Sequence, residues 1–338
     1  MDPGLLERLL DPSFYPYPTS KVEHIQTHIS HVFLTDERVY KVKKEVNFGF
    51  LDYSTLEKRR HFAFREVELN SRLSPEIYLG VQGLGKKEGR WQWTDPQDPS
   101  TQEVAVEMVR LPQEGMLREM ILEDRVPPGT MEKIARKVAR FHQEAPQDPT
   151  LNHLGTPQGF RENTDENFEQ TREFVGVSIS REDWEFIREK TETFYDKKGS
   201  LMEERTRGGM VKDCHGDLHS QHICIWKGKV FIYDCIEFNE RFRYGDVASE
   251  VAFLAMDLEF FMVPHLAQEF LEAYLKERPD ATLMEVLPFY QCYRAFVRGK
   301  VESFLLKDPA IPPKKRQEAL LRAHRYFFLA RKYAEVMV

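Results

Sequence analysis

The dominant spacing of apolar residues differs between the two parts of this chain. Between Val22 and Val109 apolar positions tend to alternate with polar ones, and beyond Gly129 they recur every three to four residues. Alternation buries one face of a strand, whereas the longer period lays an apolar stripe along a helix. "VEHIQTHISHVFLTDERVYKVKK" therefore predicts two antiparallel strands, at 22–34 and 38–43, turning at "TDER". "STLEKRRHFAFREVELNSRL" predicts one helix, with Ser54 and Glu57 at capping-box spacing and Phe64, Val67, Leu69 and Leu73 as core-facing positions. "IYLGVQGL" and "QEVAVEMV" predict two further strands, and Pro112 ends the sheet-forming part.

Helical periods dominate the remainder. "TMEKIARKVARFHQEA" aligns Met131, Ile134, Ala135, Val138 and Phe141 on one face, and "SREDWEFIREKTETFYDKK" opens with Ser180 and Asp183 as a capping box. Further helices are expected near 246–262, 264–277, 284–306 and 314–336. One loop-rich insertion interrupts them, "MVKDCHGDLHSQHICIWKGKVFIYDCIEF", with the short strand "VFIYD" after a "KGK" turn. An amphipathic start (Leu5, Leu6, Leu9, Leu10) precedes the turn-rich "YPYPTS". The chain thus divides into an N-terminal arm at 1–20, a sheet-bearing lobe at 21–112 and a helical lobe at 113–338 that carries the loop 214–238. The fold class expected is α+β and bilobal.

Composition narrows the class. With 338 residues, 41% hydrophobic and 30% charged, the chain can bury a core and is not disordered. Its net charge of −7 argues against a general nucleic-acid binder, and no apolar run approaches the length of a membrane span. The four cysteines (214, 224, 235, 292) form no C-x-x-C pair, and the first residues lack a signal-peptide layout. The expectation is a soluble, cytoplasmic protein with free thiols.

The insertion carries the chemistry. "CHGDLHSQHICI" presents His215 and Asp217 as catalytic candidates. In phosphoryl transfer a carboxylate orients the acceptor hydroxyl, a ligand five positions on holds metal, and a second Asp follows a short hairpin. Here those positions are Asp217, His222 and Asp234. Upstream, "RVYKVKK" puts Lys41 on the face of Val39 as the phosphate lysine, with Lys43 as fallback. The next helix offers Glu66 or Glu68 as ion-pair partner, Glu66 being preferred because Leu69 and Leu73 flank it on the buried side. Glu107, Met108 and Val109, before Arg110, are the expected hinge whose backbone would pair with adenine.

"HGDLHSQHICI", "IYDCIEF" and "YGDVASEVAFL" resemble the aminoglycoside phosphotransferase family of the protein-kinase-like fold. They fit a bacterial branch marked by "THISHVFLT", "VYKVKK", "FGFLDYSTLEKR" and "DCIEFNERFR", so the resemblance runs from about residue 20 to the 330s. It implies a small-sheet nucleotide-binding lobe, ATP and Mg2+ as cofactors, Asp217 as catalytic carboxylate, Asp234 as metal ligand, and Asp246 as a structural carboxylate bracing the loop. Many members of that branch carry a P-loop ATPase domain behind the kinase-like one, which is not expected in these 338 residues. The chain departs from the pattern at His222, where the family keeps Asn, and at Glu250, four residues after Asp246. No glycine-rich loop is present; "THISHV" stands in its place. Because imidazole suits softer metals than Mg2+, Mn2+ is expected to serve comparatively better.

Rival motifs are weaker. "GVQGLGKK" matches G-x-x-x-x-G-K, but lacks the Ser/Thr and the helix that would follow, so a hairpin is expected. His215, His219 and His222 beside Cys214 would suit zinc, which leaves Asp234 unexplained. His24, His28 and His31 cannot share a face on one alternating strand. "KKRQEALLRAHRYFFLARKY" reads as a docking helix, with a contact surface for an acidic partner as the alternative. Glu237, Glu240, Asp257 and Glu259 form either an acidic pocket for a cationic substrate or a solvated rim. Eleven residues separate Asp234 from Asp246 and no A-P-E follows, so a small hydroxyl-bearing acceptor fits better than a protein. A phosphotransferase is the expected function; a regulatory nucleotide-binding pseudokinase and nucleotidyl transfer are the alternatives.

Overall fold

The computed structural model describes every residue except Ala310. Its strands, in chain order, are β1 (Glu23–Gln26), β2 (Ser30–Leu34), β3 (Arg38–Lys43), β4 (Tyr78–Lys87), β5 (Arg90–Thr94), β6 (Thr101–Val109), β7 (Val211–Asp213), β8 (Ile223–Trp226), β9 (Lys229–Ile232) and β10 (Tyr244–Asp246). The helices are α1 (Pro3–Leu10), α2 (Leu56–Ser71), α3 (Leu117–Leu122), α4 (Thr130–Glu144), α5 (Pro157–Thr171), α6 (Arg181–Arg207), α7 (Glu240–Arg243), α8 (Val247–Phe260), α9 (Pro264–Glu277), α10 (Leu283–Phe304) and α11 (Pro313–Val336). They form two compact units: Met1–Glu119 with His222–Glu240, and Met120–Gln221 with Arg241–Val338. The loop 214–238 is therefore divided, its second part belonging to the sheet-bearing unit.

The first unit is built on a six-stranded sheet in the order β1-β2-β3-β6-β4-β5, with each neighbouring pair antiparallel. Alternation along β3 sends Tyr40 and Val42 to one face, where they pack with Leu5 and Leu9 of α1 and with Phe33, Leu84 and Ala105. The arm at 1–20 is thus part of this unit's core. Lys41 and Lys43 take the other face, which packs α2 and the β8–β9 hairpin through Ala63, Val104, Val106, Met108, Cys224 and Phe231. That hairpin turns at Lys227 and Gly228, both at positive φ (50° and 76°), the geometry of a type I′ turn.

Three expectations change here. The segment 22–34 is two strands, because Thr27 accepts the Ser30 amide in its side chain (2.9 Å) and closes a turn without Gly or Pro. Thr55 rather than Ser54 caps α2, since Ser54 is held by Asp52 (2.6 Å) while Thr55 accepts from the Lys58 amide. Phe64 is exposed, and the buried face of α2 carries Ala63, Glu66, Leu69 and Asn70 instead. The "GVQGLGKK" stretch lies within β4 and leads into the β4–β5 hairpin; a Cβ on Gly83 would come within 2.6 Å of the Asp95 carbonyl, so close strand approach accounts for that glycine.

The second unit is mainly helical, with the two-stranded β7–β10 sheet at its loop. α8 is almost wholly buried, and α10 packs on both α8 and α11. Helices at 247–260, 264–277, 283–304 and 313–336 follow the expected periods. Among the described residues no helix is long and apolar enough to cross a membrane. All four cysteines are buried, and none forms a disulfide among the described residues.

Candidate active site

In the first unit two neighbouring lysines share one carboxylate. Lys41 Nζ donates to Glu66 Oε1 at 3.0 Å, and Lys43 Nζ to Glu66 Oε2 at 2.7 Å. Both lysines project from the same face of β3, and Glu66 stands on the buried face of α2. They then diverge. Lys41 also donates to Asp234 Oδ1 at 2.6 Å, whereas Lys43 is engaged by Glu237, which in turn accepts from the Tyr53 hydroxyl at 2.6 Å. Burial works against the charge on Lys41, but Asp234, Glu66 and Glu237 outweigh it and hold the ammonium well above its ordinary value. Burial likewise opposes ionisation of Glu237, and Lys43 and Lys41 overcome it. Of the two lysines, Lys43 is fully enclosed and Lys41 keeps partial access to solvent.

Asp234 lies two residues past β9, at φ +63°. Few residues other than Gly tolerate this region, and Asp and Asn are among them. Three contacts fix the turn: the Asp234 amide donates to the Tyr78 hydroxyl (3.0 Å), the Cys235 amide to Asn70 Oδ1 (2.9 Å) and the Tyr233 amide to the His222 carbonyl (3.1 Å). The turn delivers one Asp234 oxygen to Lys41 and the other, Oδ2, to within 3.6 Å of His222 Nε2. That separation is too long for a hydrogen bond and short enough for one cation to reach both atoms.

The hinge residues need correcting. Glu107, Met108 and Val109 lie inside β6, flanked on both edges by β3 and β4, and the Val109 amide is bound to Ile77 O at 2.9 Å. An interior strand has little backbone to offer a ligand. Glu107 also points to the sheet face opposite Lys41, where it accepts from Tyr40 (3.1 Å) and Gln82 (2.8 Å). Free backbone begins beyond Arg110, at Leu111, which with Val39, Val109, Met116 and Tyr233 edges the apolar cluster beneath.

In the second unit two carboxylates of α8 hold the loop that bears Asp217. Glu250 Oε1 accepts the His215 and Gly216 amides at 2.7 and 2.8 Å, and Asp257 Oδ2 accepts the Ser220 amide at 2.8 Å. Positions 250 and 257 are two helical turns apart, about 10 Å along one face, so the helix acts as a ruler for the loop. The bracing carboxylate on the loop amides is therefore Glu250. Asp246 instead caps α8 through the Ala248 amide (2.8 Å) and pairs with Arg205 at 2.7 and 2.8 Å. Glutamate suits position 250 because its other oxygen reaches buried His142 at 2.7 Å, and His142 in turn contacts the Tyr274 hydroxyl at 2.8 Å. Burial disfavours the Glu250 charge, yet His142, His215 and the Gly216 amide reverse the balance and pull its pKa down to about 2.

His215 is buried, and its Nδ1 accepts the Asp217 amide at 3.2 Å, which makes it a shaper of the turn. That use occupies Nδ1 of His215, which argues against its serving as a zinc ligand through that nitrogen. His219 Nδ1 accepts from the Gln221 amide (3.4 Å), leaving Nε2 to face Asp217 Oδ2 at 3.5 Å. His219, Glu250, Tyr78, Asn70 and Arg294 (whose Nη1 donates to Gly216 O at 2.9 Å) carry no motif of their own. In the sequence only Glu250, by its Glu-for-Asp departure, and His219, within the histidine cluster, stood out.

No protein-family model matches the sequence. An uncharacterized protein of Mycobacterium bovis, and one of Mycobacterium tuberculosis, is 32% identical over 277 residues, which is 82% of this chain and 54% of theirs. The chain spans about half the length of the curated relatives it matches. Among solved structures, an aminoglycoside 2'-phosphotransferase in complex with GDP superposes with a TM-score of 0.60 at 12% identity, covering 97% of this chain and 99% of that one. A choline/ethanolamine kinase family protein from Mesorhizobium loti gives 0.54 at 11% identity, with 97% and 99% covered. An amicoumacin kinase bound to AMP-PNP and Ca2+ gives 0.57 at 11% identity, with 97% and 94% covered. The chain has the aminoglycoside phosphotransferase-like, protein-kinase-like fold.

Proposed function

We propose that the chain is an ATP- and metal-dependent phosphotransferase whose acceptor is the hydroxyl of a small molecule. The observation that carries this reading is the three-way contact of Lys41 with Glu66 and Asp234. A lysine ordered by a buried glutamate and aimed at a second carboxylate is an arrangement for gripping nucleotide phosphates beside a cation. That relatives of the fold were solved with GDP, or with AMP-PNP and Ca2+, supports a nucleotide with a divalent ion.

The residues divide the work by chemistry. Lys41 would neutralise phosphate oxygens, and Glu66 would keep it pointing there. The apolar edge at Val39, Val109, Leu111 and Met116 would take the base. Asp234 Oδ2 and His222 Nε2 would hold the cation, which supplies charge neutralisation on the phosphates when bound. One hard oxygen and one imidazole nitrogen fit Mn2+ at least as well as Mg2+. Asp217 would take the proton of the acceptor hydroxyl as its oxygen bonds to the γ-phosphorus and the bridging P–O bond breaks, releasing nucleoside diphosphate. His219 Nε2, 3.5 Å from Asp217 Oδ2, would help to orient that carboxylate.

Titration calorimetry with ATP in EDTA, Mg2+ and Mn2+ tests the assignment. Metal-dependent binding that disappears in Lys41→Met is expected. Binding indifferent to metal would favour a regulatory pseudokinase, and AMP on the product would mean nucleotidyl transfer. No binding in any condition sinks the kinase reading.

A further inference from the structure

We propose that the acceptor is an anionic alcohol, a small hydroxylated phosphate or carboxylate, recognised by Arg298 together with Arg294 of α10. The proposal rests on the kinase reading and adds the substrate class to it. Positions 294 and 298 are one turn apart, so both side chains leave the same face of the helix. Arg294 fixes where that face looks: its Nη1 donates to the carbonyl of Gly216, the residue before Asp217. Its Nε donates to the Ser249 hydroxyl at 3.1 Å, and its guanidinium lies 4.8 Å from the Phe253 ring centroid. Every one of these partners is neutral, and the full positive charge stays beside the Asp217 loop.

Arg298 meets the Tyr326 side chain and keeps one donor without a partner. Its guanidinium sits 5.6 Å from the centroid of the Tyr326 ring, while its buried Nε has no hydrogen-bond partner. A buried guanidinium N–H left without an acceptor is costly, and an anionic oxygen brought to Arg298 would complete it. Burial works against the Arg298 charge, but Tyr326, Asp217 and Asp257 outweigh it and hold the side chain cationic. Guanidinium groups match the planar or tetrahedral oxygens of carboxylates and phosphates, with two parallel donors each.

Several carboxylates that a cationic acceptor could use are already engaged. Asp257 holds the Ser220 amide, Glu259 accepts from Gln291 and Lys332 at 3.4 Å each, and Glu302 pairs with Arg322 at 2.9 Å. Glu237 is enclosed with Lys43 and Tyr53. An acidic pocket for an amine is thereby disfavoured, and the charge free to act near Asp217 is positive.

Calorimetric titration of the full chain with inorganic phosphate and with 3-phosphoglycerate tests this, using wild type, Arg298→Met, Arg298→Lys and Lys41→Met. Wild type should bind both probes, Arg298→Met should weaken them about tenfold or more, and Arg298→Lys, which keeps the charge and loses the paired donors, should bind between the two. Lys41→Met should leave them unchanged. Thermal melts establish that Arg298→Met is folded, and the Lys variant separates lost charge from lost packing. The proposal is overturned if wild type does not bind, or if Lys41→Met rather than Arg298→Met removes binding, which would put the phosphate on the nucleotide lysine. Turnover of choline or ethanolamine with none of 3-phosphoglycerate or glycerate would overturn it as well. ATP binding in the same samples reports separately on the kinase reading: if it persists while Arg298 proves indifferent, only the substrate class falls. If ATP fails to bind, the acceptor assignment falls with the kinase reading, whatever Arg298 does.

Discussion

Lys43 lies 2.7 Å from Glu66, on the same carboxylate that orders Lys41 from the other side. Two lysines one strand repeat apart thus have different tasks. Lys43 is enclosed between Glu66 and Glu237, both buried, and removing it would leave two carboxylates with less positive charge than they need. Breaking a buried ion pair by deleting one partner costs roughly 3–5 kcal/mol. Lys43→Met should therefore lose about that much stability in urea unfolding. Lys41→Met, at a site with partial solvent access, should lose less stability and all of its ATP affinity. Equal stability losses in the two variants would contradict this division.

The second prediction concerns Asp217, whose loop is held through its backbone amides by Glu250 and Asp257 of α8. Asp217→Asn should fold normally and bind ATP as wild type does. Loss of proton acceptance from the acceptor hydroxyl should lower kcat by about 10²- to 10⁴-fold. Single-turnover assays with saturating ATP would measure this, and an unchanged kcat removes Asp217 from the mechanism.

Much of this was legible in local patterns, and the failures have physical causes. Period-two spacing put Lys41 on the inner face of β3, and period 3.6 put Glu66 on the inner face of α2, so their meeting followed from elements alone. Phe64 misled because hydrophobicity outranked position: the buried face of α2 is built from Ala63, Glu66 and Asn70 around the ion network. α5 went unseen because its buried face is mostly polar, with Asn163, Thr164, Asn167 and Thr171 between Phe160 and Phe168. Thr156–Pro157, an N-cap followed by proline at N1, was the signal that could have revealed it. The division of labour between Asp246 and Glu250 is tertiary. It depends on His142, more than 100 residues away, and no local spacing encodes it.

Asp234 provides a prediction about backbone. Its φ of +63° costs a β-carbon-bearing residue about 1 kcal/mol or more, and Asp and Asn pay least. Asp234→Asn should keep the turn and abolish metal-dependent nucleotide binding. Asp234→Ala should abolish binding too, and in addition be less stable than the Asn variant by about 1 kcal/mol. Equal stability of the two variants in denaturant titrations would show that the turn imposes no such demand.

His222 tests the metal. With Nε2 3.6 Å from Asp234 Oδ2, it stands where it can share a cation with that carboxylate. His222→Asn replaces a nitrogen ligand with an oxygen, so the Mg2+-supported rate should rise relative to the Mn2+-supported rate. An unchanged ratio of the two rates would mean that the imidazole does not touch the ion.

Glu250 sets the acid limb of stability. Its carboxyl has an ordinary value near 4.5 in the unfolded chain and about 2 in the folded one, because His142 and two loop amides favour the ionised form despite burial. A group with a depressed folded value stabilises the native state fully above the unfolded value. That contribution shrinks as pH falls from about 4.5 and is gone below about 2. At 1.36 kcal/mol per unit the shift corresponds to roughly 3 kcal/mol at neutral pH. Glu250→Gln should therefore be destabilised by about that amount at pH 7 and show a flatter decline between pH 4.5 and 2. Since the same carboxylate positions the Asp217 loop, the variant should also lose turnover at pH 7 while retaining ATP binding. Urea unfolding from pH 7 to pH 3 for both proteins decides the matter: parallel stability curves would show that Glu250 is not the group being titrated.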